Sequence, residues 1–289
     1  MLYENESIKS GFDRRIKLKD TKLSIFLYGN SDRDNLDALS VIKTLNGMEN
    51  CRVFVEMTST SWDHVCNVET KEDREDPVKG PIINYVWTDE NFAYNNLLEH
   101  SIFRNAVYNT KEKQIHILFI GFDNYSLEMM KCILWLGQMP GYQLRIDVIE
   151  AGNDSDKLFY QCPGLKEHMT EDGLAKYEIR KFSRVDYESA QMRDLVRLCG
   201  DFTFAFINTG SETQNGETAI QLAIERSRIG NYAECVMQMF NHKAVDDFML
   251  RWTSDYHVRI EQVGTDESLY KYETMKYDDG TYREEYIIA

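Results

Sequence analysis

Hydrophobic and polar positions repeat as one unit along the chain: a short apolar run, a turn bearing Gly, Asn or Asp, then a stretch of helical period. The first copy is Lys22 to Tyr28, the turn Gly29-Asn30-Ser31-Asp32, and a helix from about Asn35 to Leu45. The second is Ile115 to Ile120, then Gly121-Phe122-Asp123-Asn124, then Leu127 to Leu136. The third is Phe202 to Ile207, then Asn208-Thr209-Gly210-Ser211, then Glu217 to Ser227. The runs are β-branched or aromatic, as strands buried on both faces require. Strands alternating with helices of this length form βαβ units. The pattern therefore predicts an α/β, Rossmann-like fold, a mainly parallel sheet with helices on both faces, built from two related strand–helix halves. Right-handed crossovers would gather the turns along the carboxyl edge of the sheet.

Further strands are expected at Cys51–Glu56, Ile82–Val86, Leu144–Ile149, Tyr177–Phe182, Glu234–Phe240 and His257–Val263, with a helix near Glu90–His100. The charged segment Glu69–Asp76, followed by Pro77, reads as an exposed loop. These elements divide the chain into an N-terminal extension (1–20), a first Rossmann-like half (21–108), a degenerate dinucleotide-binding domain (114–264) and a C-terminal hairpin or tail (265–289). Asp279-Gly280 is a tight-turn signal within that last segment. The apolar end Ile287-Ile288-Ala289 calls for cover, so the expectation is either a longer native chain or a partner over this end.

Composition narrows the function classes. Lys and Arg number 33 against 48 Asp and Glu, a formal charge of −15, and the densest basic cluster is only Arg14, Arg15, Lys17 and Lys19. A binder of nucleic-acid phosphates needs an extensive basic face, so none is expected. No apolar run reaches the roughly 18–20 residues of a membrane span, and membrane insertion is not expected either. The six cysteines are scattered, without the short paired spacing of a zinc site, and the histidines form no ligand motif. Buried thiols in a reducing, cytoplasmic compartment are the expectation, with no metal.

Most functional information lies between Ile115 and Glu150. A strand ends at Gly121, a helix follows, and the next strand ends in an acid, Glu150. In a dinucleotide-binding unit, glycines admit the pyrophosphate to the helix N-terminus and the acid bonds the ribose. Against G-x-G-x-x-G this turn keeps the first glycine, has Asp123 at the second and Ser126 at the third. Asp123 would place a negative charge where a pyrophosphate lies, and it fits equally well as a helix N-cap. Both readings stand: a phosphate site of altered geometry, or a plain strand-to-helix turn.

The segments Ile115–Phe122, Ile146–Glu150, Cys162-Pro163-Gly164-Leu165, Phe204–Gly210 and Cys235–Phe240, in this order across 114–264, resemble the NAD-binding regulatory domains of potassium transport and channel proteins (the RCK type) and their stand-alone bacterial relatives. The resemblance implies a nucleotide ligand, NAD or another adenine nucleotide, and a homodimer or partner protein. By the same resemblance Gly121, Phe122, Asp123, Asn124 and Tyr125 form the phosphate turn, Glu150 meets the ribose, and Asn208, Thr209 and Gly210 face the adenine or nicotinamide.

A second polar crevice is expected where Gly29-Asn30-Ser31-Asp32 meets Glu56-Met57-Thr58-Ser59-Thr60, with either a polar ligand or simple helix capping as its purpose. No nucleophile elbow and no Walker A lysine occur. His116 reads as a satisfied core histidine, Lys131 as a solvated helix residue, and Met129, Met130, Ile133, Leu134 and Leu136 as core or dimer face. The expectation is a nucleotide- or dinucleotide-sensing regulatory protein without chemistry of its own. Its alternatives are an NAD(P)-dependent oxidoreductase and a ligand-free Rossmann scaffold for protein–protein interaction.

Overall fold

The computed structural model describes residues 23–29, 31–45, 48, 51–58, 80–100, 102–103, 113–165, 177–231, 234–241, 258–265 and 287–288. The extension 1–20, the loop 69–76, the turn at Asp279-Gly280, and Ser59 and Thr60 lie outside the described residues. The chain divides into two compact units, Met1–Asn91 with Tyr270–Ala289, and Phe92–Leu269.

The first unit is built from β1 (Leu23–Leu27), α1 (Asp32–Lys43), β2 (Cys51–Met57) and β3 (Ile82–Trp87), with α2 (Thr88–Glu99) starting in it. In the second follow β4 (Gln114–Ile120), α3 (Asn124–Leu136), β5 (Gln143–Ile149), α4 (Asp156–Gln161), β6 (Tyr177–Phe182), α5 (Ala190–Leu198), β7 (Phe204–Ile207), α6 (Glu212–Arg228), β8 (Cys235–Phe240) and β9 (Val258–Val263). The last strand, β10 (Ile287–Ile288), returns to the first unit and pairs in parallel with β1. Its backbone hydrogen bonds thus go to the edge of that sheet, where the sequence alone suggested an uncovered apolar end.

The first sheet has the order β10-β1-β2-β3, with parallel pairing throughout. Ile25, Leu27, Val53 and Val55 bury one face against Leu39 and Ile42 of α1. Phe26 and Phe54, in register on the opposite face, stack with ring centroids 4.8 Å apart.

The second sheet, again all parallel, has the order β6-β5-β4-β7-β8-β9. The chain enters at its middle with β4, steps outward to β5 and β6, then crosses back to lay β7 on the other side of β4. That reversal is a topological switch point, where the connections after β4 and β7 leave in opposite directions and open a crevice at the carboxyl edge. Alternation along the strands gives each face its own layer. Leu118, Ile120, Ala205, Ile207, Met237 and Met239 pack with Met192 and Val196 of α5 and Ala219 and Leu222 of α6. Phe119 and Phe206 face the other way and pack on each other, and Phe206 meets Phe92 of α2, whose ring also touches Tyr125 of α3 and Phe240.

Four helices, α1, α3, α5 and α6, begin with a short polar side chain that accepts from an otherwise orphaned N–H: Ser31 from Asp34, Asp123 from Ser126, Ser189 from Met192 and Ser211 from Gln214. These caps explain why α1, α3 and α6 start three to five residues earlier than the apolar period suggests. Their first turns are polar and carry no periodic signal. At the far end of α6, Arg226 is fully buried; its guanidinium donates to the carbonyls of Gly200 and Phe202 and lies 4.7 Å from the Phe202 ring centroid. It fastens α6 to the connection that leads into β7.

Candidate functional site at the switch point

The ends of β4 and β7 are drawn together at the carboxyl edge. Asn208 N–H donates to the carbonyl of Ile120 at 2.8 Å, and Gly121 N–H to that of Ile149 at 2.8 Å. Gly121 has a φ of 77°, and a Cβ there would lie 1.9 Å from the Asn208 carbonyl oxygen. Glycine is therefore demanded by the close approach of two backbones as well as by its left-handed conformation.

Asp123 caps α3, its Oδ1 accepting from Ser126 N–H at 2.9 Å. The helix N-terminus, where a phosphate would seat, is thus occupied by the protein's own carboxylate. Phe122 is buried with its ring 6.1 Å from Phe119, and Tyr125 packs on Phe240 at 4.4 Å, while Asn124 is exposed. Glu150 is buried and bound on both oxygens: Ser155 N–H at 3.0 Å, Ser155 Oγ at 2.5 Å and Ser183 Oγ at 3.3 Å donate to it, and Lys181 Nζ lies 3.5 Å away. Both acids in the sequence-derived phosphate–ribose set therefore already hold protein donors.

Beyond β7, Thr209 donates from N–H and Oγ1 to Asn215 Oδ1, each at 2.8 Å, and Gly210 sits exposed with φ 83°. Asn215 Nδ2 in turn donates to Phe240 O at 2.7 Å and Asn241 Oδ1 at 3.0 Å. One helix side chain thus clamps its own preceding turn to the end of the neighbouring strand. The first unit repeats the device: Gly29 N–H donates to Asn35 Oδ1 at 2.6 Å, and Asn35 Nδ2 to Glu56 O at 2.9 Å. In both, the asparagine lies four residues after the serine N-cap, Ser31 to Asn35 and Ser211 to Asn215. That shared spacing is a sequence signal which strand and helix periodicity alone passes over. At the equivalent position after Asp123 stands Leu127, so the turn between β4 and α3 lacks this clamp.

Next to the unclamped turn are two buried polar groups with no hydrogen-bond partner among the described residues. They are Asn208 Nδ2 and Ser126 Oγ, with 5% and 0% of each residue exposed. Asn208 directly follows β7 in the alternation of Phe204 and Phe206. Ser126, at the third-glycine position, is small enough to let α3 pack closely, but it brings a hydroxyl with it. A buried donor or acceptor without a partner costs about 1–3 kcal/mol, so the two leave unmet hydrogen-bonding capacity beside the turn.

The polar crevice of the first unit is different, because its groups satisfy one another. Asp32 Oδ1 accepts from Thr58 N–H at 2.7 Å and Thr58 Oγ1 at 2.8 Å. Ser31 Oγ donates to Asp34 at 2.8 Å. Lys131 is only partly exposed and pairs with the buried Glu128 at 2.5 Å, so it is not the solvated residue its position suggested. Met129, Met130, Ile133 and Leu134 are buried. His116 has both ring nitrogens 2.7 Å from carboxylates, Asp147 and Asp201, leaving neither available to a substrate. Burial pushes the Cys235 thiol up to about 11, and burial followed by the nearby Asp147 raises Cys199 further, so neither is a thiolate nucleophile.

Among the described residues no group of His, Cys, Asp and Glu is arranged to hold a metal ion, and no helix is long and apolar enough to cross a membrane. Compared with protein-family models and with curated proteins, the sequence matches none.

Proposed function

We propose that the chain is a ligand-sensing regulatory module of Rossmann architecture without chemistry of its own, its ligand seated where β4 and β7 part. The observation that carries this reading is the unpartnered pair Asn208 Nδ2 and Ser126 Oγ beside the unclamped turn. Support also comes from the switch-point topology, a recurrent ligand position in parallel sheets, and from the resemblance to NAD-binding regulatory domains. The occupied helix N-terminus adds a chemical restriction. With Asp123 in place, a nucleoside or other ligand uncharged at the turn is favoured over a dinucleotide. Both ring nitrogens of His116 are engaged by carboxylates, and burial holds the Cys199 and Cys235 thiols protonated, which favours binding over an oxidoreductase or hydrolase role.

A thermal-shift panel of adenosine, AMP, ADP, ATP, NAD and NADH tests the reading. A ligand at 100 times its Kd adds about 2.7 kcal/mol, which raises the unfolding midpoint by roughly 5–10 °C for a domain of this size. Adenosine is expected to shift wild type more than NAD does. A carboxylate about 4 Å from a phosphate repels it by roughly 4 kcal/mol at an effective dielectric near 20. Asp123→Asn, which keeps an N-cap, is therefore expected to strengthen binding of the phosphorylated ligands by about tenfold or more with little change in stability. A second reading, the ligand-free scaffold, is favoured by the saturation of Glu150. It prevails if no member of the panel shifts either protein.

A further inference from the structure

The amino edge of the second sheet carries a charged cluster that the proposed site does not use. His116 Nε2 lies 2.7 Å from Asp147 Oδ2, and Nδ1 lies 2.7 Å from Asp201 Oδ1. The groups facing this imidazole come from three elements: Arg145 and Asp147 from β5, Arg180 from β6, and Cys199 and Asp201 from the connection between α5 and β7. Arg180 grips Asp147 with two hydrogen bonds of 2.6 Å and reaches Cys199 Sγ at 3.8 Å; Arg145 lies 3.5 Å from Asp147. His116 and Asp147 are buried, whereas the Asp201 side chain is 55% exposed.

A neutral imidazole has one N–H and cannot donate to two carboxylates on opposite nitrogens; an imidazolium donates to both. Without His116, Asp147 still has Arg180, while Asp201 is held to the sheet by His116 alone among the contacts described above. The backbone reinforces the same join, since Thr203 N–H donates to His116 O at 2.9 Å. From this geometry we infer that His116 is a proton-operated latch on the α5–β7 connection. As imidazolium it ties Asp201, and with it residues 199–203, to β4. On losing its proton it keeps one N–H, and the half-exposed Asp201 turns to water. β4 runs from this latch to Gly121, and the latched connection leads through β7 to Asn208. The latch thus sits at the opposite end of the two strands that frame the switch point.

The direction of titration follows from the contacts. Burial works against the charged ring, but the hydrogen bonds to Asp147 and Asp201 outweigh it and hold His116 above the ordinary imidazole value of 6.5. The hydrogen bond from His116 holds Asp201 below the usual carboxylate range. A group raised on folding stabilises fully below its unfolded pKa and stops doing so as pH rises through its folded one. A group lowered on folding does the reverse. The latch is closed between the two folded values and opens as pH climbs through that of His116.

Nuclear magnetic resonance on the full chain, with hydrogen exchange over the same pH series, tests it. His116 Cε1–H is expected to titrate above 6.5. Protection of amides 199–203 should fall by about tenfold for each unit by which the pKa is raised, and the Gly121 and Asn208 amides should shift with the same midpoint. Asp201→Asn, a change at a half-exposed site, moves that midpoint to lower pH. His116→Gln abolishes the pH dependence if it folds; if it does not, the Asp201 variant carries the test. Titration of His116 at or below 6.5 overturns the latch. So does titration that leaves 199–203, Gly121 and Asn208 unmoved.

Discussion

Asp147→Ala is expected to lower the stability of the second unit by about 3–5 kcal/mol, the usual cost of removing one partner from a buried ion pair. Asp147 has no exposed surface and accepts both hydrogen bonds of the Arg180 fork as well as one from His116. Its loss leaves the Arg180 guanidinium and the buried His116 imidazole without the carboxylate they share. The damage comes from the orphaned cations more than from the missing acid. Adding Arg180→Met to the alanine variant should therefore restore part of the loss, although it deletes a further native contact. Chemical denaturation of the two variants checks this. If the double variant is less stable than Asp147→Ala by the full cost of Arg180→Met alone, the cations are not what the single change left stranded.

Gly121→Ala is expected to cost roughly 2–5 kcal/mol, combining left-handed backbone strain with overpacking. The added methyl would meet backbone atoms just beyond β7, the Asn208 carbonyl oxygen at 1.9 Å and Thr209 Cα at 2.8 Å, and no rotamer change can relieve it. The ends of β4 and β7 must separate instead, which breaks the Asn208–Ile120 hydrogen bond. Thermal unfolding measures the loss, and Gly210→Ala is the control. Gly210 is also left-handed, but a Cβ there would meet nothing within 4 Å. Its cost should remain near the conformational penalty of about 1–2 kcal/mol. Equal losses at the two positions would mean that close approach of the strands is not why glycine stands at 121.

Much of the fold was legible in the order of residues. Continuous apolar runs such as Ile115–Ile120 have no polar face to show, and only burial on both sides of a parallel sheet accommodates them; these strands match the structure to within a residue or two. Helix starts were less legible, because Ser31, Asp123 and Ser211 are polar residues in polar surroundings until their capping hydrogen bonds are seen. α5 escaped notice for a related reason. Its apolar positions Met192, Leu195 and Val196 do stand at helical spacing, but the segment is only nine residues long and its surroundings are polar. Two-residue β10 owes its conformation to β1, more than 250 residues earlier, and no local pattern encodes it.

At the switch point the meeting of strand ends was legible, but the hydrogen-bond partners of the side chains were not. Gly121 and Asn208 do meet at the carboxyl edge, as strand-end residues of a parallel sheet must. Sequence could pose the choice at Asp123 between phosphate turn and N-cap, and the structure gives it the cap. That Glu150 is taken by Ser155 depends on a turn five residues on, and that Asn208 Nδ2 is left without a partner among the described residues depends on side chains that no local pattern encodes. The cluster around His116 was hidden for the same reason. An imidazole within an apolar strand advertises only that it needs partners, and Asp147, Arg180 and Asp201 come from separate elements.

The central claim is that Asn208 and Ser126 await a ligand at the switch point, and the side-chain amide of Asn208 reports on it directly. In a titration with adenosine, AMP and NAD followed by 15N-resolved nuclear magnetic resonance, the account predicts a saturable shift of the Asn208 NH2 pair and of Gly121 N–H. The largest response should come from the ligand without phosphate, and Asn208→Leu should abolish binding while the fold persists. A panel that binds elsewhere and leaves those signals unmoved, or that does not bind at all, would contradict it.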